Sequence, residues 1–174
     1  MTEKAQIGLI QVYTGKGKGK TTAALGSAIR AAGHGMKIAF IQFLKGQPSG
    51  EHAFLEKYPV FAVLRTGILD CFTASEEQLR LECEQTLDFA EEQMLGGHFD
   101  LIILDEINVA MQKGFISTRR MLDFLNKKPA GTELILTGRG APQEIIQRAD
   151  LVTEMCMVKH PYQRRIKARR GIEY

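Results

Sequence analysis

Apolar and polar positions change period several times along the chain. Residues 7–13 (IGLIQVY) form a short apolar run that breaks off in a glycine-rich turn. Residues 20–32 are rich in Ala and Leu, which suits a helix, and Gly33 and Gly35 follow as stop signals. Residues 37–43 (KIAFIQF) predict a second strand, 49–58 a short helix, and 60–65 a third strand. Ser75 with Gln78 fits a capping box. Leu79, Cys83, Leu87, Ala90 and Met94 then recur at steps of three or four, one face of a helix that Gly96 and Gly97 stop. Residues 100–104 (DLIIL) predict a fully buried strand. A helix capped by Ser117 runs to Asn126, and strand 132–137, helix 142–148 and strand 151–155 complete the pattern.

Apolar strands alternating with helices imply an α/β fold, a mostly parallel sheet with helices on both faces. Ligands of such sheets lie at the carboxyl ends of the strands. The chain has 174 residues and no repeat or long linker, so residues 1–174 form one domain. With 44% hydrophobic and 25% charged residues the composition is that of a globular protein, and no apolar run is long enough to span a membrane. The first residues lack the apolar core of a signal peptide. Cysteines 71, 83 and 156 are scattered and form no Cys-x-x-Cys pair, so they read as reduced, mostly buried thiols of a cytoplasmic protein. Net charge is +3, but Lys159, Arg164, Arg165, Lys167, Arg169 and Arg170 crowd the C-terminus. Without aromatic or motif context that run reads as a solvated tail rather than a nucleic-acid surface.

Two segments at predicted strand ends carry chemistry. The first is Thr14-Gly15-Lys16-Gly17-Lys18-Gly19-Lys20-Thr21-Thr22, between a strand and a helix, the context of a phosphate-binding P-loop. Glycines 15, 17 and 19 allow positive φ and turn successive N–H groups inward, and the helix N-terminus adds its own donors. Lys20 would meet phosphate as a point charge, and Thr21 would offer its hydroxyl to Mg²⁺. The usual pattern has glycine where Thr14 stands, which predicts a shifted register for the polyphosphate. The second segment is Leu104-Asp105-Glu106, an apolar strand ending in two acids, where P-loop proteins hold Mg²⁺. Neighbours on a strand face opposite sides, so one acid is expected at the metal, and Glu106 is favoured.

With these motifs placed, the chain resembles the P-loop ATP:corrinoid adenosyltransferases over nearly its whole length. The marks are Gly15 through Gly26, Arg30-Ala31-Ala32-Gly33-His34-Gly35, Gln42-Phe43-Leu44-Lys45-Gly46 with Gly50-Glu51, and Leu104-Asp105-Glu106-Ile107-Asn108. Leu136-Thr137-Gly138-Arg139, Ala149-Asp150-Leu151-Val152-Thr153-Glu154-Met155, Lys159-His160-Pro161 and Gly171-Ile172-Glu173-Tyr174 follow. The resemblance implies a RecA-like P-loop fold and transfer of the 5′-deoxyadenosyl group of ATP to Co(I) of a corrinoid, with triphosphate leaving whole. It also implies ATP lying reversed along the loop, which suits the Thr14 register.

The resemblance further implies Mg²⁺, a homodimer and a flavoprotein reductant. Residues 14–22 and Arg139 would bind ATP, with Lys18 and Lys20 stabilising the leaving triphosphate and Thr21 and Glu106 at the metal. Lys45, Glu51, Phe72 and His160 are candidates for corrinoid contact. The chain departs from the family in three places: residues 68–72 lack the usual aromatic cluster and the chain has no Trp, Arg165 stands where glycine is common, and a helical N-terminal lid is not expected. Two other readings compete: a phosphoryl-transferring NTPase or kinase, and a non-catalytic nucleotide-dependent protein that binds corrinoid or RNA.

Overall fold

Why the apolar runs become a parallel sheet is visible in a computed structural model, which describes residues 7–46, 49–64 and 73–173. The strands are β1 (Ile10–Thr14), β2 (Ile38–Gln42), β3 (Phe61–Leu64), β4 (Leu101–Asp105), β5 (Glu133–Thr137) and β6 (Leu151–Glu154). All pair in parallel, in the order β3-β2-β4-β5-β1-β6. The helices are α1 (Lys20–Ala32), α2 (Gly50–Leu55), α3 (Glu76–Leu95), α4 (Ile107–Gln112), α5 (Thr118–Asn126) and α6 (Gln143–Arg148), followed by a 3₁₀ turn at Pro161–Arg164.

Burial on both faces explains the near-continuous apolar strands. Ile38, Phe40, Leu101, Ile103 and Ile135 pack with Ala24 and Ala28 of α1 and Leu55 of α2. The alternate residues Ala39, Ile41, Ile102, Leu104, Leu134 and Leu136 join a second core with α3, α4, α5 and α6. Each fully buried Leu or Ile contributes about 1.5–3 kcal/mol against exposure. β6 is an edge strand and is exposed along its length.

Local signals hold where a side chain or backbone constraint drives them. Ser75 Oγ accepts from Gln78 N and Gln78 Oε1 accepts from Ser75 N, so the capping box forms. The predicted α3 face (Leu79, Cys83, Leu87, Ala90, Met94) is buried. Ser117 caps α5. The strand end at residue 65 and the departure at 68–72, with Cys71 and Phe72, lie outside the described residues. Helix α4 was not expected. It starts directly after Glu106, whose φ of 64° ends the strand abruptly.

One sheet neighbour relation positions the site. β5 lies between the loop strand β1 and the acidic strand β4. Thr137, the last residue of β5, therefore sits between the glycine-rich loop and Asp105.

Candidate functional site

Each of the four central strands ends in a buried polar residue: Thr14, Gln42, Asp105 and Thr137. Strand alternation sorts them. Gln42, Asp105 and Thr137 continue the rows that face α1, whereas Thr14 belongs to the opposite row. Thr14 is accordingly part of β1, and its hydroxyl accepts from Ala141 N at 3.3 Å. It anchors the turn after β5 at the point where the loop begins.

The loop itself closes on a cation. The Lys20 ammonium donates to the carbonyls of Gly15 (2.9 Å) and Gly17 (2.8 Å) and is almost fully buried. Burial lowers its pKa, and the Glu106 carboxylate opposes that shift. Gly15 and Gly19 take φ of 94° and 116°, as expected. Gly17 corrects the sequence reading, because its φ is not positive. Glycine is needed there for close approach: a Cβ would lie 2.7 Å from Met155 O, and Gly17 N donates to that same oxygen at 2.6 Å. The start of α1 has no side-chain cap and no acid in its first turn. Its N–H groups and positive end remain suited to an anion.

Asp105 is the junction of the acidic end. Its Oδ1 accepts from the hydroxyls of Thr21 (2.8 Å) and Thr137 (2.6 Å), and its Oδ2 accepts from Gln42 Nε2 (2.8 Å). Glu106 turns aside through its left-handed backbone, with its N–H donating to Thr137 Oγ1 at 3.0 Å. It lines the loop cleft beside Lys20, Thr21 and Arg139. Burial raises the Glu106 pKa and the Asp105 charge adds to it, while Lys20 and Arg139 oppose. Among the described residues no cluster of His, Cys, Asp and Glu forms a complete metal cage. The donors fit a cation that shares its shell with substrate oxygens. Thr21 gives its proton to Asp105, so its lone pairs stay free for such a cation.

Arg139 is set by the turn after β5. Gly138 has φ of 127°, and a Cβ there would come within 3.0 Å of Asn108 Cβ and Val109 N. Asn108 Nδ2 donates to Gly138 O at 3.4 Å. Arg139 and His160 line both the loop cleft and a larger cleft of about 1000 Å³ that also includes Lys16 and Gln112. On the other side of the loop, Lys45 and Glu51 form an ion pair at 2.5 Å and share a cleft with Thr21 and Thr22. Burial works to raise the Glu51 pKa, but hydrogen bonds from Lys45 and Ser49 outweigh it and bring it down to about 2. The corrinoid candidates thus divide: Lys45 and Glu51 lie toward β2 and α2, and His160 lies toward Arg139.

The C-terminal segment completes the surroundings. Lys18 Nζ donates to Ile172 O and to Glu173 Oε1, both at 3.1 Å. Glu173 also pairs with Arg169 at 3.0 Å, so part of the basic run is spent within the tail. Arg165 has φ of 59°, a region that favours glycine, which gives its substitution a backbone cost of roughly 1 kcal/mol. Cys156 is exposed, contrary to the buried-thiol expectation, because it leaves the edge strand β6. Cys83 is buried, which together with nearby Glu82 and Glu84 pushes its thiol up to about 12. Sequence reasoning assigned no role to Gln42, Asn108, Thr137, Ile172 or Glu173. For Gln42 and Thr137 a signal existed: a polar residue closing a buried apolar strand in the same row as Asp105.

Comparison with known proteins gives this geometry a family. Residues 6–174 match the family model for "ATP:corrinoid adenosyltransferase BtuR/CobO/CobP". The corrinoid adenosyltransferase of Escherichia coli (strain K12) is 38% identical over 169 residues, covering 96% of this chain and 86% of that protein. Corrinoid adenosyltransferase CobA of Salmonella typhimurium is 37% identical over 169 residues, with the same coverage of 96% and 86%. The Pseudomonas aeruginosa corrinoid adenosyltransferase is 36% identical over 171 residues, covering 96% and 84%. The chain belongs to the ATP:corrinoid adenosyltransferase family, enzymes of cobalamin biosynthesis that adenosylate corrinoids at the expense of ATP.

Proposed function

We propose that the chain holds the triphosphate of ATP in the loop of residues 14–22 while Co(I) of a corrinoid attacks C5′. The cobalt electron pair forms the Co–C bond, the C5′–O bond breaks, and triphosphate leaves with that bonding pair. Cobalt is formally oxidised from Co(I) to Co(III). The nucleophile belongs to the substrate, so the protein's tasks are positioning and charge stabilisation. The observation that carries this reading is the coupled arrangement of Lys20 inside the loop and Thr21 bonded to Asp105 at the mouth of the same cleft.

Lys20 and the loop N–H groups take the charge that grows on the leaving triphosphate. Lys18 and Arg139 approach it from the rim, and Lys16 and Thr22 flank it. Thr21 and Glu106 would hold Mg²⁺, which neutralises phosphate charge when bound. Asp105 orients Thr21 by accepting its proton. Lys45 and Glu51 face the corrinoid from the β2 side and His160 from the β6 side. The enzyme works in the cytoplasm as a homodimer, and a flavoprotein supplies the reduced cobalt. Among the described residues no helix is long and apolar enough to cross a membrane.

Anaerobic product analysis with ATP, Mg²⁺ and chemically reduced cobalamin tests the reaction. Intact triphosphate with a light-sensitive Co–C product is expected. ADP and phosphate with cobalamin unchanged would establish phosphoryl transfer instead.

A further inference from the structure

A chain of buried hydrogen bonds leads from helix α2 to the acidic end of the site. His52 is 2% exposed and its ring lies against Phe40, with centroids 6.5 Å apart. The backbone N–H of Ser49 donates to His52 Nδ1 at 2.9 Å. His52 Nε2 is hydrogen-bonded to Gln42 Oε1. Gln42 Nε2 donates to Asp105 Oδ2 at 2.8 Å, and Asp105 Oδ1 receives Thr21 and Thr137.

The direction of every bond in this chain is fixed at both ends. A backbone N–H can only donate, so Nδ1 of His52 must be the acceptor and carry no proton. The ring is then neutral with its proton on Nε2, and it donates to Gln42 Oε1. That donation turns the amide of Gln42 so that its NH₂ faces Asp105. Without it only Asp105 would hold the amide against a flip, which sets a carbonyl oxygen against a carboxylate oxygen, and the Gln42 oxygen would lose its donor. At the far end the carboxylate of Asp105 can only accept.

We propose that His52 is a positioning residue for the nucleotide–metal site, acting through Gln42 to fix the Asp105 carboxylate that orients Thr21. The same ring, through its bond to Ser49 N, ties down the start of α2, next to Glu51 and its partner Lys45. His52 therefore joins the proposed corrinoid side of the loop to the proposed metal side without touching either substrate. The inference rests on the reading of Thr21 and its neighbours as the Mg²⁺ end.

Two measurements test it separately. The first is a long-range ¹H–¹⁵N spectrum of the wild-type histidine rings at neutral pH, assigned by comparison with His52→Gln. His52 is expected as the neutral Nε2–H tautomer. An Nδ1–H tautomer or a doubly protonated ring would overturn the relay. The second is ATP affinity, by calorimetry, with Mg²⁺ and with chelator. His52→Leu keeps bulk but removes the donor, and is expected to cut the Mg²⁺-dependent gain in affinity by about five- to tenfold while metal-free affinity changes by less than about twofold. His52→Gln restores an N–H toward Gln42 and is expected to recover most of the gain. Equal losses in the two variants, or none in His52→Leu, would show that the ring serves packing alone. A wild-type protein whose ATP affinity ignores Mg²⁺ would remove the metal reading, and the ring spectrum would still decide the hydrogen-bond order. If His52→Leu does not fold, Gln42→Met interrupts the same chain one bond later and carries the same expectation.

Discussion

Lys20 and Glu106 show how single residues here trade stability for chemistry. The ammonium of Lys20 is enclosed by its own loop, where two carbonyls and the nearby Glu106 charge offset its desolvation. Lys20→Ala is expected to lower turnover by roughly two orders of magnitude with the fold retained, because a preorganised donor to the leaving group is lost. Steady-state kinetics beside a far-UV circular dichroism spectrum checks this, and wild-type turnover would move the role away from the loop. Glu106 is the opposite case: burial and Asp105 raise its pKa, so its ionised form opposes folding. The penalty is small below the ordinary carboxyl value of 4.5, grows as pH rises from there toward the elevated folded pKa, and is constant above it. Glu106→Gln should therefore raise the Tm of the metal-free protein at neutral pH, and the difference should vanish near pH 4. The same substitution should weaken the Mg²⁺ dependence of ATP binding. A variant that is less stable at neutral pH and unchanged near pH 4 would contradict the assigned sign.

At the scale of elements, the sequence revealed what periodicity and local chemistry encode. Strands β1, β2, β4 and β5, helix α1 and the capped helices α3 and α5 follow from apolar runs, glycine stops and Ser caps. Helix α4 escaped because Glu106 breaks the strand with an unusual left-handed backbone that no residue type announces. The loop's composition was legible, but the reason for Gly17 was not, since the backbone it must avoid comes from Met155, far along the chain. The same distinction yields a paired prediction. Gly17→Ala puts a methyl 2.7 Å from Met155 O and should cost about 1–3 kcal/mol as well as ATP affinity. Gly26→Ala, on an exposed turn of α1 with nothing beyond the adjoining helix backbone within 4 Å of the new Cβ, should stabilise by about 0.5–1 kcal/mol. Urea unfolding of both variants decides it, and equal effects would mean that the loop does not press on the segment after β6.

At the scale of the whole molecule, parallel pairing makes the site from both ends of the chain. β1 is held by β5 and β6, so the loop that follows it depends on residues 133–154. The chain then returns past Gly15 and Gly17 and brings Ile172 and Glu173 over Lys18. Glu173 thus places a carboxylate where the bound triphosphate would bring several negative charges. The Lys18–Glu173 pair is partly solvated, with 48% and 22% of the two side chains exposed, so separating it costs little. Glu173→Gln removes the competing charge and leaves Lys18 held only by neutral oxygens such as Ile172 O, without disturbing any strand. ATP binding should tighten about threefold at low ionic strength, and the advantage should fade near 1 M salt, where the screening length is about 3 Å. Titrations at two salt concentrations read both parts. Weaker binding at low salt would instead make Glu173 a direct ligand of the nucleotide or its cation, and the C-terminal tail would then be a wall of the active site rather than a rival for its lysine.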